Sequence, residues 1–302
     1  MIILPPIPIP VSAFISSNAV VSIYPEWSSA TAYTTGQRVF YQAPGSMYPM
    51  DYEALRNNTN VPPGSSALDW LAIGASNRYA LFDERIGNST MAPSMMPLDM
   101  TVRPGQVING IAFFELVGIS VRVRLIEPIE GTVYDRTVPL VDNTTITSWA
   151  AWAFEPIATL SDVTLTDLPN YGSADIRIEV EPQNGMAAIG EAVIGLQRTL
   201  GAANFGTSFS IQSYSRKERD QFGNVSVVAR RSTKLVDIDV TYDTRTGASL
   251  QRALQDIDSV ATVFIGEGSF AETVVYGFYR QWRAVIDTPT ISSATIEIEG
   301  LV

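Results

Sequence analysis

Val121-Arg122-Val123-Arg124-Leu125 decides the fold class of this chain, because apolar and cationic side chains alternate along it. A period of two is that of a β-strand with one face buried and the other in water. Ile176-Arg177-Ile178-Glu179-Val180-Glu181 repeats the pattern with the polar face in mixed charge. Gly110-Ile111-Ala112-Phe113-Phe114 and Gly131-Thr132-Val133-Tyr134 supply further short strands between turns. Many such strands in succession predict a β-sandwich of jelly-roll type over residues 77–200.

On the C-terminal side, residues 201–302 mix strands with one helix. Leu235-Val236-Asp237-Ile238-Asp239-Val240-Thr241-Tyr242 alternates as a strand. In 248–261, Leu250, Leu254, Ile257 and Val260/Ala261 fall on one helical face. Val263-Phe264-Ile265 and the stretches 274–278 and 294–298 read as further strands. The expectation is an α+β domain with one helix on a sheet. Towards the N-terminus, residues 23–76 are rich in aromatics, Ser, Thr, Asn and Pro, which predicts short strands and long loops. Before it, residues 1–22 begin with an Ile-Pro alternation that favours an extended, polyproline-like arm. Such an arm either docks on a neighbouring molecule or packs as a strand on its own domain. The whole is expected to be mainly β.

Composition narrows the function. The chain has 302 residues, no Cys and no His, so it has no disulfide framework and lacks the commonest general base and metal ligand. A formal net charge of −11 is unsuited to holding phosphate backbones, so no nucleic-acid partner is expected. The start lacks a basic residue and is broken by Pro5, Pro6, Pro8 and Pro10, unlike a signal peptide. Nowhere is an uncharged apolar run long enough to span a bilayer, so no membrane insertion is expected. No cofactor and no metal site is expected either.

The chemistry-bearing patterns are weak. Gly266-Glu267-Gly268-Ser269-Phe270-Ala271 matches a dinucleotide fingerprint in spacing, yet the β-branched residues after it predict a strand and not a helix. Asp237/Asp239 and Asp256/Asp258 are close carboxylate pairs without the glycine and terminal Glu of a calcium loop. Asn57, Asn88, Asn143 and Asn224 stand in N-x-S/T sequons of the kind a Ser/Thr-rich chain produces by chance.

Two resemblances carry the functional expectation. Trp27, Tyr33-x-x-Gly36-x-x-Val39-x-Tyr41, Tyr52-Glu53-Ala54, Pro62 and Trp70 resemble, in order and spacing, the small chitin- and cellulose-binding modules (carbohydrate-binding type 5/12) appended to bacterial glycoside hydrolases. That resemblance implies a small three-stranded module with a carbohydrate-binding surface drawn from Trp27, Tyr33, Tyr41, Tyr48 and Trp70. Leu55 and Arg56 stand where those modules place an exposed aromatic pair, and 42–51 looks inserted. Two readings of the aromatics stand: Trp27, Tyr41 and Trp70 suit a core, whereas Tyr33 and Tyr48 are the candidates for exposure.

Asn77-Arg78-Tyr79-Ala80-Leu81-Phe82-Asp83 then resembles a junction of phage tail and virion proteins, where such a module leads into a β-sandwich. There Tyr79 and Phe82 are expected to plug the sandwich while Arg78 and Asp83 pair. Gly206-Thr207-Ser208-Phe209-Ser210, Tyr214-Ser215-Arg216-Lys217-Glu218, Asp220-Gln221-Phe222-Gly223-Asn224, Val228-Ala229-Arg230-Arg231-Ser232 and Val275-Tyr276-Gly277-Phe278-Tyr279 resemble the C-terminal domain of the same kind of tail protein. Asp220-Gln221-Phe222-Gly223-Asn224 is also a hairpin signal in its own right. The charged run Arg216, Lys217, Glu218, Arg219 reads either as a solvated loop or as an assembly seam between subunits.

The expectation is a non-enzymatic subunit of a bacteriophage tail or baseplate, located in the virion and assembled in the host cytoplasm. Its expected partners are copies of itself, other tail proteins and a host-surface polysaccharide. The alternatives are a tail-associated glycan depolymerase and a bacterial polysaccharide-binding protein.

Overall fold

The computed structural model describes residues 1–142, 146–154, 158–219, 221–267 and 271–301. The protein is mainly β, and most of its described strands pair in antiparallel ladders. By contact it divides into two units, Ile7–Ala192 and a second made of Met1–Pro6 with Val193–Val302. No described helix is long and apolar enough to cross a membrane.

In the first of these units, Val121 to Leu125 lie in the strand Ser120–Glu127, whose burial alternates along its whole length. It pairs with Gly131–Pro139 on one side and Asp175–Glu181 on the other, so that Val121, Val123 and Leu125 lie opposite Val180, Ile178 and Ile176. Leu98–Val102 continues the sheet, and Phe14–Ser17, drawn from the N-terminal arm, closes it. Opposed arginines and carboxylates line the outer face: Arg177 forks onto Asp99, and Arg124 reaches Glu179 at 2.6 Å. A second sheet is built on Gly110–Phe114, fully buried, paired with Val163–Leu165. The arrangement is sandwich-like, with its core between the two apolar faces. Gly118 shows how tight the turn into this core is. A Cβ there would stand 2.5 Å from Val180 and 2.7 Å from the Glu181 carbonyl.

The aromatic-rich segment precedes this sandwich in the same unit. Arg38–Tyr41, Met50–Ala54 and Trp70–Ala75 form its three-stranded sheet, and Ala32–Tyr33 pairs with Asn58–Thr59 beside it.

The other unit is a broad sheet. In order it runs Arg198–Thr199, Ile2–Leu4, Thr262–Ile265, Val274–Ile286, Ile291–Gly300 and Ser232–Asp243, and the last of these also carries Ala202–Ala203 and Ser208–Ser213. The start of the arm is thus an inner strand of its own chain, with Ile3 and Leu4 fully buried. Gly195 admits it, because a Cβ there would sit 2.0 Å from the Pro5 carbonyl oxygen. Leu250, Leu254 and Ile257 pack on Ile3, Val236, Ile238, Phe264 and Ile296, so one helix covers the sheet.

Two boundaries differ from expectation. The helix spans Gly247–Asp256 and does not reach 261, because Ile257 leaves helical geometry and its N–H closes the last turn on Leu254 and Gln255. Ile257 and Ala261 are buried all the same, which is why the apolar periodicity overran the helix. The strand expected at 274–278 extends to Ile286. Arg280, Arg283 and Gln281 gave no alternation, and pairing with Ile291–Gly300 carries the chain through them.

Candidate functional site

Two regions were expected to carry function; the first turns its large side chains into its own core and the second holds them in solvent. In the aromatic module, Tyr33, Val39, Tyr52, Ala54 and Trp70 form the core, with Trp27, Tyr41, Met50 and Val61 half-buried against it. A sheet this small has few aliphatics to bury, so rings supply the apolar area. Tyr33 and Trp70 meet edge to face at 5.3 Å, as do Trp27 and Tyr41. The Trp70 indole N–H donates to the Val61 carbonyl at 2.9 Å, and the Tyr33 hydroxyl accepts from the Ser28 N–H at 2.7 Å. Trp70 is 3% exposed and Tyr33 6%. Tyr33 therefore departs from its expected exposure.

Tyr48 departs too, at 9% exposed. Its ring stacks on Tyr79 at 5.6 Å, and its hydroxyl donates to the Ile9 carbonyl at 2.8 Å. Burial, with Glu191, Glu84 and Asp83 nearby, pushes this phenol well above the usual tyrosine range. Phe14 meets Tyr79 and Phe82 edge-on, so the junction aromatics do form a small core with Tyr48 and Ala75.

The expected Arg78–Asp83 pair does not form. Arg78 donates to the Ala19 carbonyl at 2.9 Å, while Asp83 accepts from Asn88 and from the Ala75 and Arg85 backbone N–H groups. Burial raises the pKa of Asp83 despite these bonds, and likewise that of Asp51, which accepts from Ser22 and Ser76 at 2.8 Å each.

What the module does expose is aliphatic and charged. Leu55, Leu68, Leu71 and Ile73 face solvent, and Arg56 forks onto Asp69. On the outer face Arg38 lies over the Tyr24 ring at 5.7 Å, donates to its hydroxyl, and pairs with Glu53 at 2.8 Å. Tyr24 escaped the sequence reading; the cross-strand pairing of Arg38 with Glu53 brings it into this group.

The second region is the β-ribbon that leaves the C-terminal sheet. Ser208–Ser213 pairs with Ser232–Asp243, and the ribbon continues through Tyr214 and Ser215 into the hairpin Arg216–Arg219/Val225–Val228. Every residue of these three short strands is exposed. The register puts Lys217 and Arg219 on one hairpin face with Val227 and Val225, and Arg216 and Glu218 on the other with Val228 and Ser226. Arg216 and Glu218 form an ion pair, so three of the four expected assembly residues are cations displayed on a projecting strand. Gly223 takes φ +88°, the left-handed conformation the turn needs. Asp220 lies outside the described residues, as do Asn143 and Gly268 to Phe270 of the glycine pattern.

Phe209 is 62% exposed and Ile211 75%, although both lie on the side of the sheet that the helix covers further in. At the near end of the ribbon, Phe205, Phe209, Glu267, Glu272 and Thr273 line a cavity of about 550 Å³.

The carboxylate pairs act as structural ties. Asp239 accepts from Thr295, Asp237 from Ser208, and Asp258 from Tyr279, whose phenol is pushed up to about 12 by burial and this bond. Among the described residues, no group of three Asp or Glu side chains could hold a metal ion. No protein-family model and no curated protein sequence matches this chain.

Proposed function

We propose that this chain is a structural subunit of a bacteriophage tail or baseplate that works as an oligomer in the virion, not as an enzyme. The observation that carries the oligomeric part of this reading is the projecting ribbon. A two-stranded hairpin without a third strand or a covering helix is marginal in water. Here it displays Val225, Val227 and Val228, and the chain leading out to it displays Phe205, Phe209 and Ile211. Exposed apolar area of this kind marks a surface that is covered in the working assembly. The tail assignment itself rests on the resemblance of the 77–83 junction and of the C-terminal segments to tail proteins. Contact with host-surface glycans is assigned to the module, through Trp27, Tyr41 and Tyr24, three half-buried rings that keep some surface.

The test is to measure the native mass of the purified chain by sedimentation and to look for the chain in purified virions by mass spectrometry. A concentration-dependent oligomer and a virion signal are expected. A monomer at every concentration, missing from virions, defeats the reading. Glycan-array binding by the full chain, lost on Trp27→Ala, would place sugar recognition in the module.

A further inference from the structure

We infer that the partner of the hairpin is a second copy of this chain, bound head to tail, with the hairpin of one copy seated in the Phe205/Phe209 cavity of the next. This rests on the oligomeric reading above and names the partner and both contact surfaces.

Charge is the first argument. Residues 214–231 hold five basic and two acidic side chains, +3 in a chain of net −11, so the remainder carries −14. A cationic projection on an acidic body is complementary to another copy of that body.

Composition of the two surfaces is the second argument. One face of the hairpin presents Lys217 and Arg219 beside Val225 and Val227. The cavity presents Glu267 and Glu272, both exposed, beside Phe205 and Phe209. Two cations and two valines thus meet two carboxylates and two phenylalanines.

Position is the third. The cavity lies at the start of the Ser208–Ser213 strand and the hairpin beyond its end, roughly 25 Å further along an extended ribbon. A hairpin running away from its own cavity cannot fill it, but it can fill that of a neighbour. A donor at one end and an acceptor at the other make a heterologous contact, which closes into a ring or stacks into a filament.

The chain has no cysteine, so engineered cysteines report the contact without background. Val225→Cys and Phe205→Cys chains, mixed and oxidised, should give a covalent dimer that neither variant gives alone. Lys217→Glu/Arg219→Glu should weaken self-association by about a hundredfold, as should Glu267→Lys/Glu272→Lys, with like charges now facing each other. Mixing the two charge variants should restore association. All four positions are exposed, and an unchanged thermal melt shows that each variant is folded.

Val225→Cys dimerising as well alone as in the mixture would mean a symmetric hairpin contact and overturn the head-to-tail assignment. So would an oligomer insensitive to both charge variants, which leaves the oligomeric reading standing. A wild-type chain that never associates defeats both.

Discussion

The aromatic module and the projecting ribbon are opposites. The module carries side chains at a spacing associated with sugar binding and turns most of them inward. The ribbon carries a charged run that passes for a solvated loop and holds its apolar side chains outward. Residue type at a suggestive spacing is therefore a poor guide to a surface in a small domain, where the largest side chains are needed for the core. A better guide is apolar area that the fold leaves uncovered.

The largest effect that could break this contrast is at Trp70. Trp70→Ala removes a ring packed on Tyr33 and the donor to Val61. It should cost ~3–5 kcal/mol and open residues 23–76 to limited proteolysis. A variant with unchanged melting that only loses glycan binding would return Trp70 to the sugar surface.

Tyr48→Phe is smaller. It keeps the stack on Tyr79 and removes one buried hydrogen bond, stranding the Ile9 carbonyl. A loss of ~1–3 kcal/mol in denaturant unfolding is expected. No measurable change would mean that the loop carrying Tyr48 is open in solution.

The strands were legible where one face is buried. Val121 to Leu125 and Val236 to Val240 alternate because each second residue must enter a core. The alternation did not extend to partners. Nothing in Ile2-Ile3-Leu4 announces Phe264 as its neighbour, since that pairing is long-range and depends on Gly195 leaving room for Pro5. Tyr48 was misjudged because its neighbours in sequence are polar while its neighbours in space are Tyr79 and Ala75. The hairpin was legible as a turn signal at 220–224. Its exposure was not, because the same pattern serves a ribbon with or without a covering layer.

The ribbon keeps its charges in water, whereas the module buries the carboxylate of Asp51. Its pKa is raised by burial, so the folded state binds the proton more tightly than the unfolded chain. The penalty is absent at low pH, where both states are protonated. It grows as pH rises from the ordinary carboxylate range through the raised value. Asp51→Asn retains an oxygen for Ser22 and Ser76 and cannot ionise. Its stability relative to wild type should increase with pH across that window and then level off. A difference that shrinks with rising pH would mean that the charged form is the favoured one in the fold.

The smallest expected effect on stability is in the ribbon. Val225→Ser with Val227→Ser alters two exposed side chains that share a hairpin face with Lys217 and Arg219. Surface substitutions of this kind usually stay within about ±0.5 kcal/mol, so the melting temperature should barely move. Self-association should nonetheless fall, because the same valines provide the apolar part of the contact. Trp70→Ala opens a core without removing a surface, whereas this variant removes a surface and leaves the fold intact. If the serine variant instead melted early and associated normally, the valines would belong to a core within the chain, and the ribbon would differ from the module only in appearance.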